Sequence, residues 1–176
     1  MSHRPTHVLV PTDFSRTAKA ALDYALGLCE QVGARLTVLH VTNRAKIEEE
    51  LKGFDALGYL FDTSESMASG GTVQPASLQW ERLEQRARQQ LEASIDPAWR
   101  NRVAIDFVCR DGYPSETIKK FATENGVDLI VMGTHGRGRA AQFVMGSVTQ
   151  NVIRAAECPV LTLKAPPEPG KENECG

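Results

Sequence analysis

The stretch GTHGRGRAAQFVMGS, from Gly133 to Ser147, follows the apolar run VDLIVM and precedes a segment of helical periodicity. A junction of this kind suits an oxyanion. The first backbone amides of a helix have no intrahelical acceptor and carry a partial positive charge, so they attract phosphate. Gly133, Gly136 and Gly146 let the backbone approach a ligand with no Cβ in the way, while Ser147 adds a hydroxyl and, with Val148, amide donors. The spacing is Gly, two residues, Gly, nine residues, Gly, Ser. With glycine at ~7% of residues, a chance match in a chain of this length is an event on the order of one in a hundred. The competing explanation is a glycine-rich connection kept only for its turn geometry. GTHGRG is not the dinucleotide fingerprint G-x-G-x-x-G, whose glycines are spaced in the reverse order, and no G-x-x-x-x-G-K-[ST] P-loop occurs.

A carboxylate is expected on the same rim. PTDFS closes the first apolar run and puts Asp13 beyond its carboxyl end, where it can accept from ribose hydroxyls or an adenine amine, hold a metal, or cap the next helix. His135 and Arg137 in the glycine loop are suitable types for a general base and a charge-stabilising cation in phosphoryl transfer. No carboxylate at a defined offset is present to position a water, so phosphoryl transfer is expected to be slow or absent and no catalytic residue is assigned. A phospho-acceptor switch built on Asp13, Asp111 and Lys164 would need a second acidic residue beside Asp13, where Thr12 stands.

These residues need a scaffold, and the hydrophobic pattern supplies one. HVLVP, from His7 to Pro11, and RLTVLHVT, from Arg35 to Thr42, read as buried strands. Between them Ala18, Ala21, Leu22, Ala25, Leu26 and Cys29 share one helical face, and Gly33 is a carboxyl-terminal cap. Strand, helix and strand form a right-handed βαβ unit. Further along, Trp80, Leu83, Ala87 and Leu91 form a helical stripe, and Arg102 to Cys109 a third strand. Tyr113-Pro114 opens a helix carrying Ile118 and Phe121 that ends at Gly126. A strand from Val127 to Met132, a helix from Ser147 to Ala156 and a strand from Pro159 to Lys164 complete the series. Five apolar strands alternating with four helices predict an α/β fold: an open, mostly parallel sheet covered on both faces. Ligands bind such sheets at the carboxyl ends of strands, where the strand order reverses.

Two segments stand outside that pattern. Residues 43–78 form a long connection whose first half fits a helix with Ile47, Leu51 and Phe54 on one side, and whose second half is loop-like in composition. A lid, a partner-docking arm and a solvated insertion are all compatible with it. The tail from Ala165 is Pro-rich and polar, which predicts disorder over 166–176 beyond a single domain spanning 1–165.

Composition bounds the rest. Lys and Arg number 20 against 22 Asp and Glu, a net charge of -2 with a pI near 6.1, so there is no electrostatic footprint for general nucleic-acid or anionic-membrane binding. No apolar run approaches the ~18–20 residues of a membrane span, and MSHRPTH has no signal-peptide pattern, so a cytoplasmic protein is expected. Cys29, Cys109, Cys158 and Cys175 are scattered singly, as reduced thiols rather than a zinc or disulfide framework.

VLVPTDFS, VDLIVMGTHGRG and MGSVTQNVIRAAECPVL, together with the Gly-2x-Gly-9x-Gly-Ser spacing, make the chain resemble the universal stress protein family, specifically its ATP-binding branch. The resemblance covers about residues 5–165. It implies a flavodoxin-like sheet of order 3-2-1-4-5, with Pro11, Thr12 and Asp13 bordering the adenosine and Asp13 near the ribose. It further implies Val41 meeting adenine through its backbone and Met132 and Gly133 on the ribose side. Gly136, Arg137, Gly146, Ser147, Val148 and Thr149 would surround the phosphates of ATP or another adenine nucleotide, with Mg²⁺ among them. It also implies a homodimer through the last strand, Pro159 to Lys164, whose apolar edge would otherwise invite aggregation. RAAQFV, from Arg139 to Val144, departs from the Leu- and Lys-rich turn of relatives. Three function classes stay open: a nucleotide-binding stress-response regulator with an unknown protein partner, a slow ATPase or autokinase, and a structural dimer that binds no nucleotide.

Overall fold

The computed structural model describes residues 4–45, 76–134 and 145–164. Along the chain these form β1 (His7–Thr12), α1 (Arg16–Val32), β2 (Arg35–Thr42), α2 (Ala76–Ala93), a 3-10 turn (Pro97–Asn101), β3 (Ile105–Asp111), α3 (Pro114–Glu124), β4 (Leu129–Gly133), α4 (Ser147–Ala155) and β5 (Val160–Leu163). All four strand pairings are parallel, in the order β3-β2-β1-β4-β5. The order reverses between β1 and β4, which places the crevice of the sheet beside Thr12 and Gly133.

The strands are apolar on both sides because both sides are covered. Val8, Val10, Leu36, Val38 and Val131 face α1 and the end of α2, where Ala21, Leu22, Leu26, Leu91 and Ile95 bury against them. Leu9, Leu39, Ile130 and Met132 face α3 and α4, against Ile118, Phe121 and Val152. The expected face of α1 is the buried one, residue for residue. Its ends are also set locally: the Ser15 hydroxyl accepts from the Ala18 amide, and Gly33 sits at φ 74 as the carboxyl cap.

Three expectations need correction. The third strand runs Ile105–Asp111 rather than Arg102–Cys109, because Asp96 caps a 3-10 turn through the Ala98 amide and that turn carries the chain to Arg102. The fourth strand is shifted to Leu129–Gly133, since Val127 and Asp128 are still engaged in leaving α3 and in holding β1. The helix of the Trp80–Leu91 stripe reaches back to Ala76, inside the stretch read as loop. The remainder of that stretch, 46–75, and the tail from Ala165 lie outside the described residues.

A polar network fixes the amino-terminal edge of the sheet, at the far end from the crevice. Asp128 accepts from the Thr6 amide (2.8 Å), the Thr6 hydroxyl (2.7 Å) and the His7 amide (3.2 Å). His7, 4% exposed, lies 2.8 Å from the Thr37 hydroxyl and 3.1 Å from the Asn125 carbonyl, with the Arg35 guanidinium 2.9 Å from Nδ1. Burial, then the positive charge of Arg35, pull the His7 pKa below its ordinary 6.5, against the opposing Asn125 carbonyl, Asp128 and Asp106. The folded state therefore keeps His7 neutral while the unfolded chain protonates it near that ordinary value, so its contribution is intact above 6.5 and is lost as pH falls below it. The denaturation midpoint in urea is expected to fall between about pH 7.5 and about pH 5, and His7→Gln should flatten that fall. An undiminished pH slope in the variant would exclude His7 as its source.

Candidate functional site

The crevice begins with a missing donor. His7 O accepts from the Asp128 amide and Thr6 O from the Arg35 amide, so the backbone groups of odd-numbered β1 residues point to β4 and those of even-numbered ones to β2. Pro11 is odd-numbered and has no N–H. The β1–β4 ladder accordingly ends at Leu9–Ile130, whereas pairing with β2 continues through Pro11–Leu39 to Thr12–His40. Beyond Leu9 the two central strands are not hydrogen-bonded to each other in the ladder.

On the β4 side, the chain leaves at Thr134 and returns at Gly146, and the loop is closed at its base by the Gly146 amide donating to Thr134 O (2.8 Å). The buried Thr149 hydroxyl, 4% exposed, donates to Gly133 O (3.0 Å). These two bonds staple the start of α4 to the end of β4. Gly146 is the N-cap and supplies no side-chain bond, and the first intrahelical bond runs from the Gln150 amide to Gly146 O. The amides of Ser147, Val148 and Thr149 therefore head the helix without an intrahelical acceptor, beside an exposed Ser147 side chain. Gly146 has φ -61 and ψ 146, a conformation open to any residue. Left-handed backbone is therefore not what places a glycine here.

On the β1 side, Thr12 to Ser15 form a turn in which every polar side chain is used. The Thr12 hydroxyl accepts from the Phe14 amide (3.0 Å), Asp13 Oδ1 from the Ser15 amide (3.0 Å), and the Ser15 hydroxyl from the Ala18 amide (3.3 Å). The carboxylate of Asp13 is thus both oriented and half-buried at the rim. Phe14 has φ 63, a left-handed conformation that costs a bulky residue on the order of 1–2 kcal/mol.

The expected site residues fall into three groups. Pro11, Thr12, Asp13, Met132, Gly133, Gly146, Ser147, Val148 and Thr149 converge on the carboxyl ends of β1 and β4 and the start of α4. Val41 is the penultimate residue of β2, one strand away, and packs against the cluster on the α3–α4 side that contains Met132. Gly136 and Arg137, like His135, lie outside the described residues. Two positions act differently from the sequence reading. Gly133 faces α1, where an added Cβ would stand 2.8 Å from the backbone and side chain of Thr17, so glycine there admits a helix rather than a ligand. Thr149 spends its hydroxyl on Gly133 O, leaving only its amide at the helix start. Sequence reasoning missed His40, whose Nδ1 lies 2.9 Å from Thr12 O and whose ring packs on Phe14 with centroids 4.7 Å apart. The available signal was a polar residue inside the apolar run of β2.

Among the described cysteines Cys29 is buried and Cys109 and Cys158 are half-buried, all three free thiols: burial raises Cys109 and Cys158 and pushes Cys29 up to about 11, so they stay protonated at neutral pH, and Cys175 lies outside the described residues. Among the described residues no helix is long and apolar enough to cross a membrane.

An open parallel α/β sheet whose strand order reverses between β1 and β4, with the start of α4 beside that point, is the architecture of proteins that take ligands at the carboxyl ends of their strands. The profile of the Universal stress protein family matches residues 5–164, and the chain belongs to that family. It is 29% identical to universal stress protein MJ0577 of Methanocaldococcus jannaschii over 161 residues, 89% of this chain and 93% of that protein. The solved MJ0577 structure superposes with a TM-score of 0.70 at 26% identity, covering 94% of this chain and 100% of that one. A universal stress protein family protein from Arabidopsis thaliana, solved with AMP bound, shares the fold at 19% identity and a TM-score of 0.57, covering 95% and 98% of the two chains. A universal stress protein in complex with cAMP does so at 19% and 0.55, covering 93% and 100%.

Two glycines separate the packing argument from generic helix effects. Gly133→Ala is expected to destabilise by about 1–3 kcal/mol, because the methyl group meets Thr17 backbone. Gly27→Ala, inside α1 with open space around the new Cβ, is expected to stabilise by about 0.5–1 kcal/mol. Urea denaturation of both variants checks the pair, and equal effects would contradict the contact.

Proposed function

We propose that this chain binds an adenine nucleotide, ATP with Mg²⁺ foremost, and that occupancy serves as a signal in a stress response, altering dimer or partner state without appreciable turnover. The observation that carries this reading is the start of α4, uncapped by any side chain of its N-cap residue and stapled to the end of β4 at the reversal point of the sheet. Phosphates would take the amides of Ser147, Val148 and Thr149 and the Ser147 hydroxyl, beside Gly146, with Gly136 and Arg137 assigned from the sequence spacing. Asp13, oriented by the Ser15 amide, would accept from the ribose, between Pro11 and Thr12 on one side and Met132 and Gly133 on the other. Val41 would meet adenine.

The AMP and cAMP complexes of proteins sharing the fold support an adenine nucleotide over other phosphates. Among the described residues no three His, Cys, Asp or Glu converge, so Mg²⁺ would be held chiefly through the nucleotide's own phosphates. The slow-ATPase reading rests on His135 and Arg137, which lie outside the described residues. The homodimer proposal rests on β5, an edge strand whose four residues, VLTL, carry no charge and are all half-buried.

Calorimetric titration of nucleotide-stripped protein with Mg-ATP, AMP and cAMP tests the site. Wild type is expected to bind, and Gly146→Val with Ser147→Ala to lose affinity by at least about tenfold while keeping the wild-type fold by circular dichroism. Val is compatible with the backbone of position 146, so the loss would report crowding of the amides rather than strain. Folded wild-type protein that binds none of the three nucleotides would end this reading.

A further inference from the structure

We propose that His40 is a positioning residue of the nucleotide site: it holds the Thr12–Ser15 turn in the conformation that presents Asp13, and so tunes affinity for the nucleoside half of the ligand without touching it. This rests on the nucleotide reading above. His40 follows Val38 by two along β2 and therefore shares the α1 side of the sheet, opposite to Val41 and the crevice lining. Its in-register neighbours are Thr12 on β1 and Cys109 on β3.

Thr12 O can only accept, so the 2.9 Å contact requires the proton on His40 Nδ1. The same ring lies against Phe14 at 4.7 Å and 36° between planes. Thr12 and Phe14 flank Asp13. One imidazole thus grips both sides of the residue expected to meet the ribose, by a hydrogen bond on one side and ring packing on the other. The grip matters because Phe14 stands at φ 63, which the chain would leave if nothing held it. Release of Phe14 would move the amide of Ser15 and with it the carboxylate that this amide orients.

His40→Phe keeps an aromatic ring and deletes the donor. His40→Asn restores a donor able to reach a backbone carbonyl. His40→Leu removes both functions. The first reading is ligand-free: amide hydrogen exchange by NMR should quicken at Phe14 and Ser15 on the order of tenfold in His40→Phe and His40→Leu and return toward wild type in His40→Asn. The second compares Mg-ATP with inorganic tripolyphosphate by calorimetry. ATP affinity should fall by about tenfold in His40→Phe, with partial rescue in His40→Asn, while tripolyphosphate, which has no ribose for Asp13 to meet, should bind each variant as it binds wild type. Unchanged exchange and ATP affinity in His40→Phe would overturn the proposal, as would equal losses for ATP and tripolyphosphate, which signal general damage. If wild type binds no nucleotide, the nucleotide reading fails and the affinity claim with it, and the exchange data alone decide whether His40 holds the turn.

Discussion

The carboxyl rim depends on one short connection: the Gly146 amide on Thr134 O, with the Thr149 hydroxyl on Gly133 O beside it. A helix start is a useful anion site only if its amides point at a fixed place, and a helix at the far end of a long glycine-rich loop has no such place by itself. The two bonds remove that freedom. They satisfy the carbonyls of Gly133 and Thr134 from the start of α4, so the leading amides of α4, which have no acceptor within the helix, are registered to the sheet and hence to Asp13 across the crevice.

The crevice exists for a complementary reason. A parallel ladder running to the ends of β1 and β4 would close the reversal point, and Pro11, pointing its missing donor at β4, stops the ladder at Leu9–Ile130. On the α1 side, the absence of a side chain on Gly133 lets the Thr17 turn press against the end of β4. One rim thus uses three backbone devices: a proline where an N–H would zip the strands, a glycine where a methyl would push away a helix, and a strained Phe14 where the chain must turn sharply. Residues that break local rules gather where the ligand is proposed to bind, as expected if the fold spends local stability on its site.

At the opposite edge the logic is reversed. His7, Thr37, Arg35, Asn125 and Asp128 lie within hydrogen-bonding distance in one network that holds β1 between β2 and β4. Asp128 is partly desolvated, which opposes its charge, yet the bonds from Thr6 and His7 lower its pKa below the ordinary carboxylate value. A network of this kind registers strands, whereas at the other end the first amides of α4 have no acceptor within their own helix.

Much of this was legible in the sequence, because hydrophobic period and turn chemistry are local properties. The buried face of α1, its Gly33 cap, the span of β2 and the start of α4 at Ser147 could be read from the sequence, and so could the place of Asp13 just beyond the carboxyl end of β1. The strand order was available only through family resemblance, since periodicity says nothing about which strands are neighbours. Boundaries slipped where distant contacts decide them: β3 begins late because a 3-10 turn capped by Asp96 occupies its expected start, and β4 because Asp128 is committed to Thr6 and His7. The roles of Gly133, Thr149, Pro11 and His40 were invisible for the same reason. Each depends on what stands opposite in space: Thr17, a carbonyl of β4, the side of β1 that faces β4, the Thr12 carbonyl. The residues alone determined that Asp13 and the glycine-flanked start of α4 would share one rim; only the packed sheet decided which residues line that rim and which hold the others in place.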